Sequence, residues 1–245
     1  MNRKVLISVM LMFLGLPVFM GSCNKNGGGD MPQEKKFWEW FSNHSQELLA
    51  DSDGKGEIVD EMYRELQKVG DLDYEFSLSD DGAAKREFII SADGNPDLIE
   101  CVERLYDARP NLPGWEIVKY RPRMECNYSV CVGDVTIDPD TARFSLFRSE
   151  DNPGMLDVVL FIDDYSEDNT EQQNIAAFVL VNMLLGEWDI MQCVDVVEAI
   201  GKDSELCENS HPISELTSTF EEWKNSGVEV INRINISSIT SVKTE

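Results

Sequence analysis

Histidine is nearly absent from this chain: its 245 residues hold two, His44 and His211, at opposite ends. There is no HExxH pair and no CxxC pair, so the usual spacings of a zinc site are missing and no cofactor is called for. A nucleophile elbow, a P-loop and a glycine-rich dinucleotide turn are missing as well. Positive charge is scarce, with 21 Lys and Arg against 46 Asp and Glu and a formal charge of −25. Such a surface repels phosphate backbones and anionic headgroups, which speaks against nucleic acid as a partner. Cations, basic proteins and neutral ligands stay open. The chain is not short of core material: 42% of its residues are apolar and 27% charged, enough to bury a core in one large domain or two small ones.

The amino terminus is the exception to this balance. Arg3 and Lys4 precede an apolar run from Val5 to Met20 that is short for a membrane span and ends in small residues. That is the layout of a signal peptide, covering residues 1–22. Met20-Gly21-Ser22-Cys23 then resembles the lipobox of bacterial lipoproteins, with Met20 where leucine is usual. The resemblance implies that Cys23 is acylated and becomes the new amino terminus, and that Asn24 after it directs the protein to the outer membrane. Acyl chains contribute roughly 0.8 kcal/mol per buried CH₂, so two or three anchor a body firmly. Residues 23–31, with Gly27-Gly28-Gly29, read as a flexible tether. Without residues 1–22 the balance is 19 basic against 46 acidic, or −27, a charge that at the least keeps an envelope protein soluble.

From residue 32 to 227 the patterning predicts one α+β domain with two similar halves, about 32–124 and 125–227, and a tail at 228–245. Phe37, Phe41, His44 and Leu48 lie on one helical face, with Trp38 and Trp40 widening it. Asp51, Asp53, Gly56 and Ile58 match positions of an EF-hand calcium loop, but Lys55 and Met62 replace two oxygen ligands, so the stretch reads as a helix–helix turn. Ile58, Met62, Leu66 and Val69 stripe the next helix, which Gly70 closes. A strand through Tyr74, Phe76 and Leu78 and its hairpin partner Arg86–Ser91 follow. Asn95-Pro96 opens a helix, and Trp115 to Tyr120 is a third strand.

The second half runs through strands at Ala142–Phe147 and Leu156–Ile162. A capping box of Thr170 and Gln173 then starts a helix to Leu185 that should be the most buried element. Trp188 to Val197 reads as a strand and Ser214 to Lys224 as a short amphipathic helix. Strand–strand–helix–strand, twice, predicts antiparallel or mixed sheet with packed helices, preceded by a helical pair.

A set of ordered motifs runs through the body: Phe37-Trp-Glu-Trp-Phe41, Arg86-Glu-Phe-Ile-Ile-Ser-Ala-Asp-Gly94, Pro113-Gly-Trp-Glu-Ile117, Arg121-Pro-Arg123, Leu185-Gly-Glu-Trp-Asp189 and Pro212-Ile-Ser-Glu-Leu216. In this order, over roughly residues 35 to 225, they resemble a bacterial domain family without assigned function. The resemblance implies no activity, ligand or catalytic residues.

Few residues ask for chemistry. Arg121 and Arg123 flank a proline at a strand end and either grip an acidic partner or neutralise neighbouring acids. Acidic clusters at Asp80-Asp81, Asp163-Asp164 with Glu167-Asp168, and Glu221-Glu222 fall in turns and on solvated helix faces, which argues against paired carboxylate catalysis. Cys101, Cys126, Cys131, Cys193 and Cys207 form an odd set after Cys23, and a Cys126–Cys131 bridge competes with free thiols. Two functions remain open. One is a non-enzymatic binding module on a lipid tether, in its sharpest form an immunity-like protein masking a basic toxin. The other is an envelope hydrolase with dispersed carboxylates.

Overall fold

The computed structural model describes residues 31–51, 56–77, 85–125 and 128–226. The leader at 1–22, Cys23, the tether up to residue 30, Asp80-Asp81, Cys126 and the tail at 228–245 lie outside the described residues. The chain divides into two units that change over between Arg121 and Pro122. Both carry mixed sheet with packed helices, an α+β architecture that begins with a helical pair.

In the first unit, helices α1 (Gln33–Ala50) and α2 (Glu57–Leu66) precede strands β1 (Asp73–Phe76) and β2 (Arg86–Ser91), helix α3 (Ile99–Asp107) and strand β3 (Trp115–Lys119). The sheet order is β1-β2-β3, with β1 antiparallel and β3 parallel to β2. α1 buries Phe37, Trp38, Phe41, Ser45 and Leu48. The expected stripe is therefore turned by one residue: Ser45 points inward and accepts the Trp115 indole N–H at 3.0 Å. His44 sits half-buried at the rim, its ring stacked on Trp40 with its Nδ1 against the Trp40 carbonyl. On α2, Val59 rather than Ile58 joins Met62 and Leu66 inside.

Between α1 and α2 the Asp51 carboxylate accepts the Gly56 N–H at 2.7 Å, a bond of the chain to itself. Arg86 closes the carboxyl end of α1 by donating to the carbonyls of Leu48 and Asp51, which complements the negative end of the helix. Gly70 is required by proximity, since a Cβ there would stand 2.6 Å from the sulfur of Cys101. Cys101 is disulfide-bonded.

The second unit begins with a hairpin not expected from the pattern, β4 (Val130–Val132) with β5 (Val135–Ile137). Three residues per strand are too few for alternation to register. Then come β6 (Arg143–Arg148), β7 (Leu156–Ile162), α4 (Thr170–Leu185), α5 (Glu187–Cys193), β8 (Val194–Gly201), β9 (His211–Pro212) and α6 (Leu216–Ser226). The sheet order is β8-β7-β6-β9, with β8 parallel to β7 and the other pairs antiparallel.

Four expectations are corrected here. Trp188 to Cys193 form α5 and the strand starts only at Val194. Gly186, at φ +78, turns the chain out of α4, and Glu187 and Asp189 sit at the positive end of a new helix that buries Ile190 and Met191. Gln173 does not box with Thr170; its side chain reaches the Ser166 backbone instead, because a 3₁₀ turn (Glu167–Asn169) extends the helix start. The most buried element is β7, all seven of whose residues are buried, since it is central in its sheet and α4 is not flanked on every side. Cys131, Cys193 and Cys207 are free thiols, so Cys131 is not bridged to Cys126.

Candidate functional site

Arg121 and Arg123 are both engaged within their own units. Arg121 meets three carboxylates, Asp73 and Glu75 from β1 and Asp93 from the turn after β2, the last at 3.0 Å. Burial still raises the Asp73 carboxyl above its ordinary range, outweighing the pull of Arg121. Arg123 binds Asp189 and Glu221 and donates to the Leu185 carbonyl at 2.9 Å, tying the end of α4 to the start of α5 and the middle of α6. Lys224 also pairs with Asp189. Desolvation would push the Asp189 carboxyl up, but the bonds from Lys224 and Arg123 hold it below the usual range.

The residues that stand out chemically lie elsewhere, on one face of the second sheet. One side of β6, β7 and β8 packs against α4 through Phe144, Leu146, Leu156, Val158, Leu160, Ile162 and Ala199. The opposite side carries a smaller apolar cluster of Phe147, Val159, Phe161 and Ile200. Register sets three polar residues into that second side. Ser145 pairs with Val159, which pairs with Glu198, and Phe147 pairs with Asp157. Alternation along each strand then gives Ser145, Asp157 and Glu198 the same face.

Four buried side-chain oxygens lack a hydrogen-bond partner among the described residues, and three of them are Ser145 Oγ, Asp157 Oδ1 and Glu198 Oε2. The fourth, Asn182 Oδ1, belongs to α4. Ser145 and Asp157 are 4% and 8% exposed. Burial, joined by the charge of Asp195, pushes the Asp157 carboxyl up to about 6, against a hydrogen bond from the Val196 N–H that pulls it down. Burial and then the Asp157 charge raise Glu198 too. Asp195 itself accepts from Ser149 Oγ and, at 2.8 Å, from Asn152 Nδ2. The row opens at the sheet edge formed by β8, where Val196 is 42% exposed.

An arrangement of this kind can hold a proton near neutral pH or offer acceptors to a hydrogen-bond donor. Among the described residues, no group of three or more His, Cys, Asp or Glu is placed to hold a metal ion. No single helix among them is long and apolar enough to cross a membrane. Sequence reading passed over these residues, although one signal was present: Asp157 interrupts the otherwise apolar run Leu-Asp-Val-Val-Leu-Phe-Ile. No protein-family model, curated protein or solved structure matches the chain.

Proposed function

We propose that this chain is a lipoprotein of the bacterial envelope, anchored through acylated Cys23 in the outer membrane. Its body, of the unassigned domain family whose motifs it resembles, is a non-enzymatic binding module for a basic protein. One observation carries the reading. Six positive side chains are spent on acids of the chain itself: Arg104 on Glu34, Lys119 on Glu103, Arg121 and Arg123 on five acids between them, Lys202 on Asp163 and Lys224 on Asp189. With 46 acids against 21 bases, many carboxylates are left over, and exposed ones such as Glu39, Glu47, Asp97 and Glu171 attract a cationic partner. An immunity-like role, masking a basic toxin, is the sharpest form.

The test is capture from cross-linked envelope of the host, with Cys23→Ser as a second arm. The expected results are one stoichiometric basic partner whose recovery falls steeply between 0.05 and 0.5 M salt, and loss of the Cys23→Ser protein from the membrane fraction. A partner recovered equally at both salts counts against charge-driven binding, and continued membrane retention counts against the lipid anchor.

A second reading is favoured by the raised Asp157 beside Glu198 and Ser145: an envelope hydrolase in which Asp157 serves as general acid. A glycan and ester screen tests it. Turnover that falls with a pKa near 6 and disappears in Asp157→Asn would support it, and no turnover on any substrate would end it.

A further inference from the structure

The first unit has a groove whose charge is opposite to that of the chain as a whole. It encloses about 460 Å³ beside β3 and is lined chiefly by Lys85, Arg109, Asn111, Leu112, Glu116 and Ile117. Lys85 and Arg109 are both exposed, and neither has a carboxylate partner among the described residues. The Arg109 guanidinium lies 3.5 Å over the Tyr106 ring and donates to the Tyr106 carbonyl at 2.8 Å, which holds the planar group in place and leaves further donors unused. Two cations in one groove with no carboxylate partner among the described residues, in a chain of charge −25, mark a place built for an anion.

The wall of the groove is a sheet edge. β3 is the last strand in the order β1-β2-β3. The Gly114 carbonyl accepts from the Arg86 N–H, and the Tyr120 N–H donates to the Ile90 carbonyl, so the even-numbered residues of β3 aim their main chain at β2. The odd-numbered residues Trp115, Ile117 and Lys119 aim theirs away from it. Leu112 takes the Trp115 N–H at 3.2 Å. The outward groups of Ile117 and Lys119 meet no further strand among the described residues.

We infer that this edge binds an extended peptide carrying one carboxylate. The peptide adds to β3 through the main chain of Ile117 and Lys119, and its carboxylate lies between Lys85 and Arg109. Strand addition supplies affinity through the ladder and leaves selection to the side-chain contacts. Half-buried Leu112 and Ile117 accept an apolar side chain next to the acid. Glu116 at the same groove repels a second acid, so the ligand has one carboxylate and not a run of them. This site is separate from the acidic surface proposed above to take a basic protein, and it stands or falls independently of it.

The probe is a fluorescein-labelled hexapeptide of alternating Thr and Val with a single central Asp, titrated into the full-length protein in detergent micelles. The expected result is saturable binding, weakened about tenfold when Asn replaces Asp, as for loss of one charge-assisted contact. Lys85→Gln and Arg109→Gln weaken binding by similar factors, while Lys35→Gln, at an exposed lysine on α1, leaves it unchanged. Circular dichroism checks that each variant is folded, and exposed Lys85 supplies the safer substitution. Equal binding of the Asn peptide would overturn the inference, as would equal binding of a peptide N-methylated along its ladder-forming edge. Tighter binding of free galacturonate than of the peptide would also overturn it, making the groove a sugar-acid site.

Discussion

The two units repeat one order of elements, a hairpin, a helix and a parallel strand, yet their sheets treat the second face in opposite ways. In the first sheet, Phe88 and Trp115 meet Phe41 of α1 and are themselves met by Tyr74 and Phe76 of β1, while Asp73 and Glu75 project from the edge strand β1 on the other side. Edge position lets those acids reach both water and Arg121. In the second sheet, Asp157 sits on an inner strand, with Phe147 on one neighbour and Val196 on the other, and no guanidinium among the described residues reaches it. The same residue type is therefore paired in one sheet and desolvated in the other. What decides is the strand's rank in the sheet.

The largest way to break this comparison is at the core of the central strand. Phe161→Ala, at a fully buried site, should cost about 3–5 kcal/mol in urea unfolding, whereas Glu75→Ala on the edge of the first sheet should cost under about 1 kcal/mol. Next comes Arg121→Ala, which leaves Asp73, Glu75 and Asp93 facing one another. A loss of about 1–3 kcal/mol is expected, and a smaller loss at 0.5 M salt than at 0.05 M. An effect that ignores salt would show that Arg121 acts by packing and not by charge.

Asp157→Asn should go the other way. The folded-state carboxyl is raised above its unfolded value, so the native state binds the extra proton between about pH 4 and 6 and loses stability as pH rises through that window. At pH 7 the carboxylate is a net cost, and the asparagine variant should gain about 1–2 kcal/mol over wild type, a gain that fades by pH 4. Thermal unfolding at both pH values checks this; a loss at pH 7 would mean the charge is compensated by a group not counted here. The smallest effect belongs to Cys131→Ser, at a half-buried free thiol, which should shift stability by under about 0.5 kcal/mol in denaturant melts.

Much of the fold was legible because burial leaves a period in the residues. The turn cluster Asn95-Pro96, the alternating Trp115 to Lys119, and the apolar runs at β2 and β7 announced their elements. α5 was not legible: Trp188, Ile190 and Val194 alternate well enough for a strand, and only the backbone turn at Gly186 makes a helix of them. Of the site, Asp157 alone could have been noticed, as a charge inside an apolar strand. Ser145 and Glu198 are unremarkable in sequence, 53 residues apart, and become neighbours of Val159 only through pairing register. Arg121 and Arg123 were visible as rare cations, but their partners, contributed by β1 and by α5 and α6, were not.

By itself the sequence determined the charge of the surface, the apolar segments that had to be buried and the α+β class, because these follow from composition and from periods of two and 3.6 residues. Tertiary structure decided which carboxylates found a cation. It also decided that, among the described residues, Lys85 and Arg109 find no carboxylate beside the edge of β3, and that three oxygens without a hydrogen-bond partner share one sheet face. Those outcomes depend on strand order and register, which bring together residues that no local pattern connects.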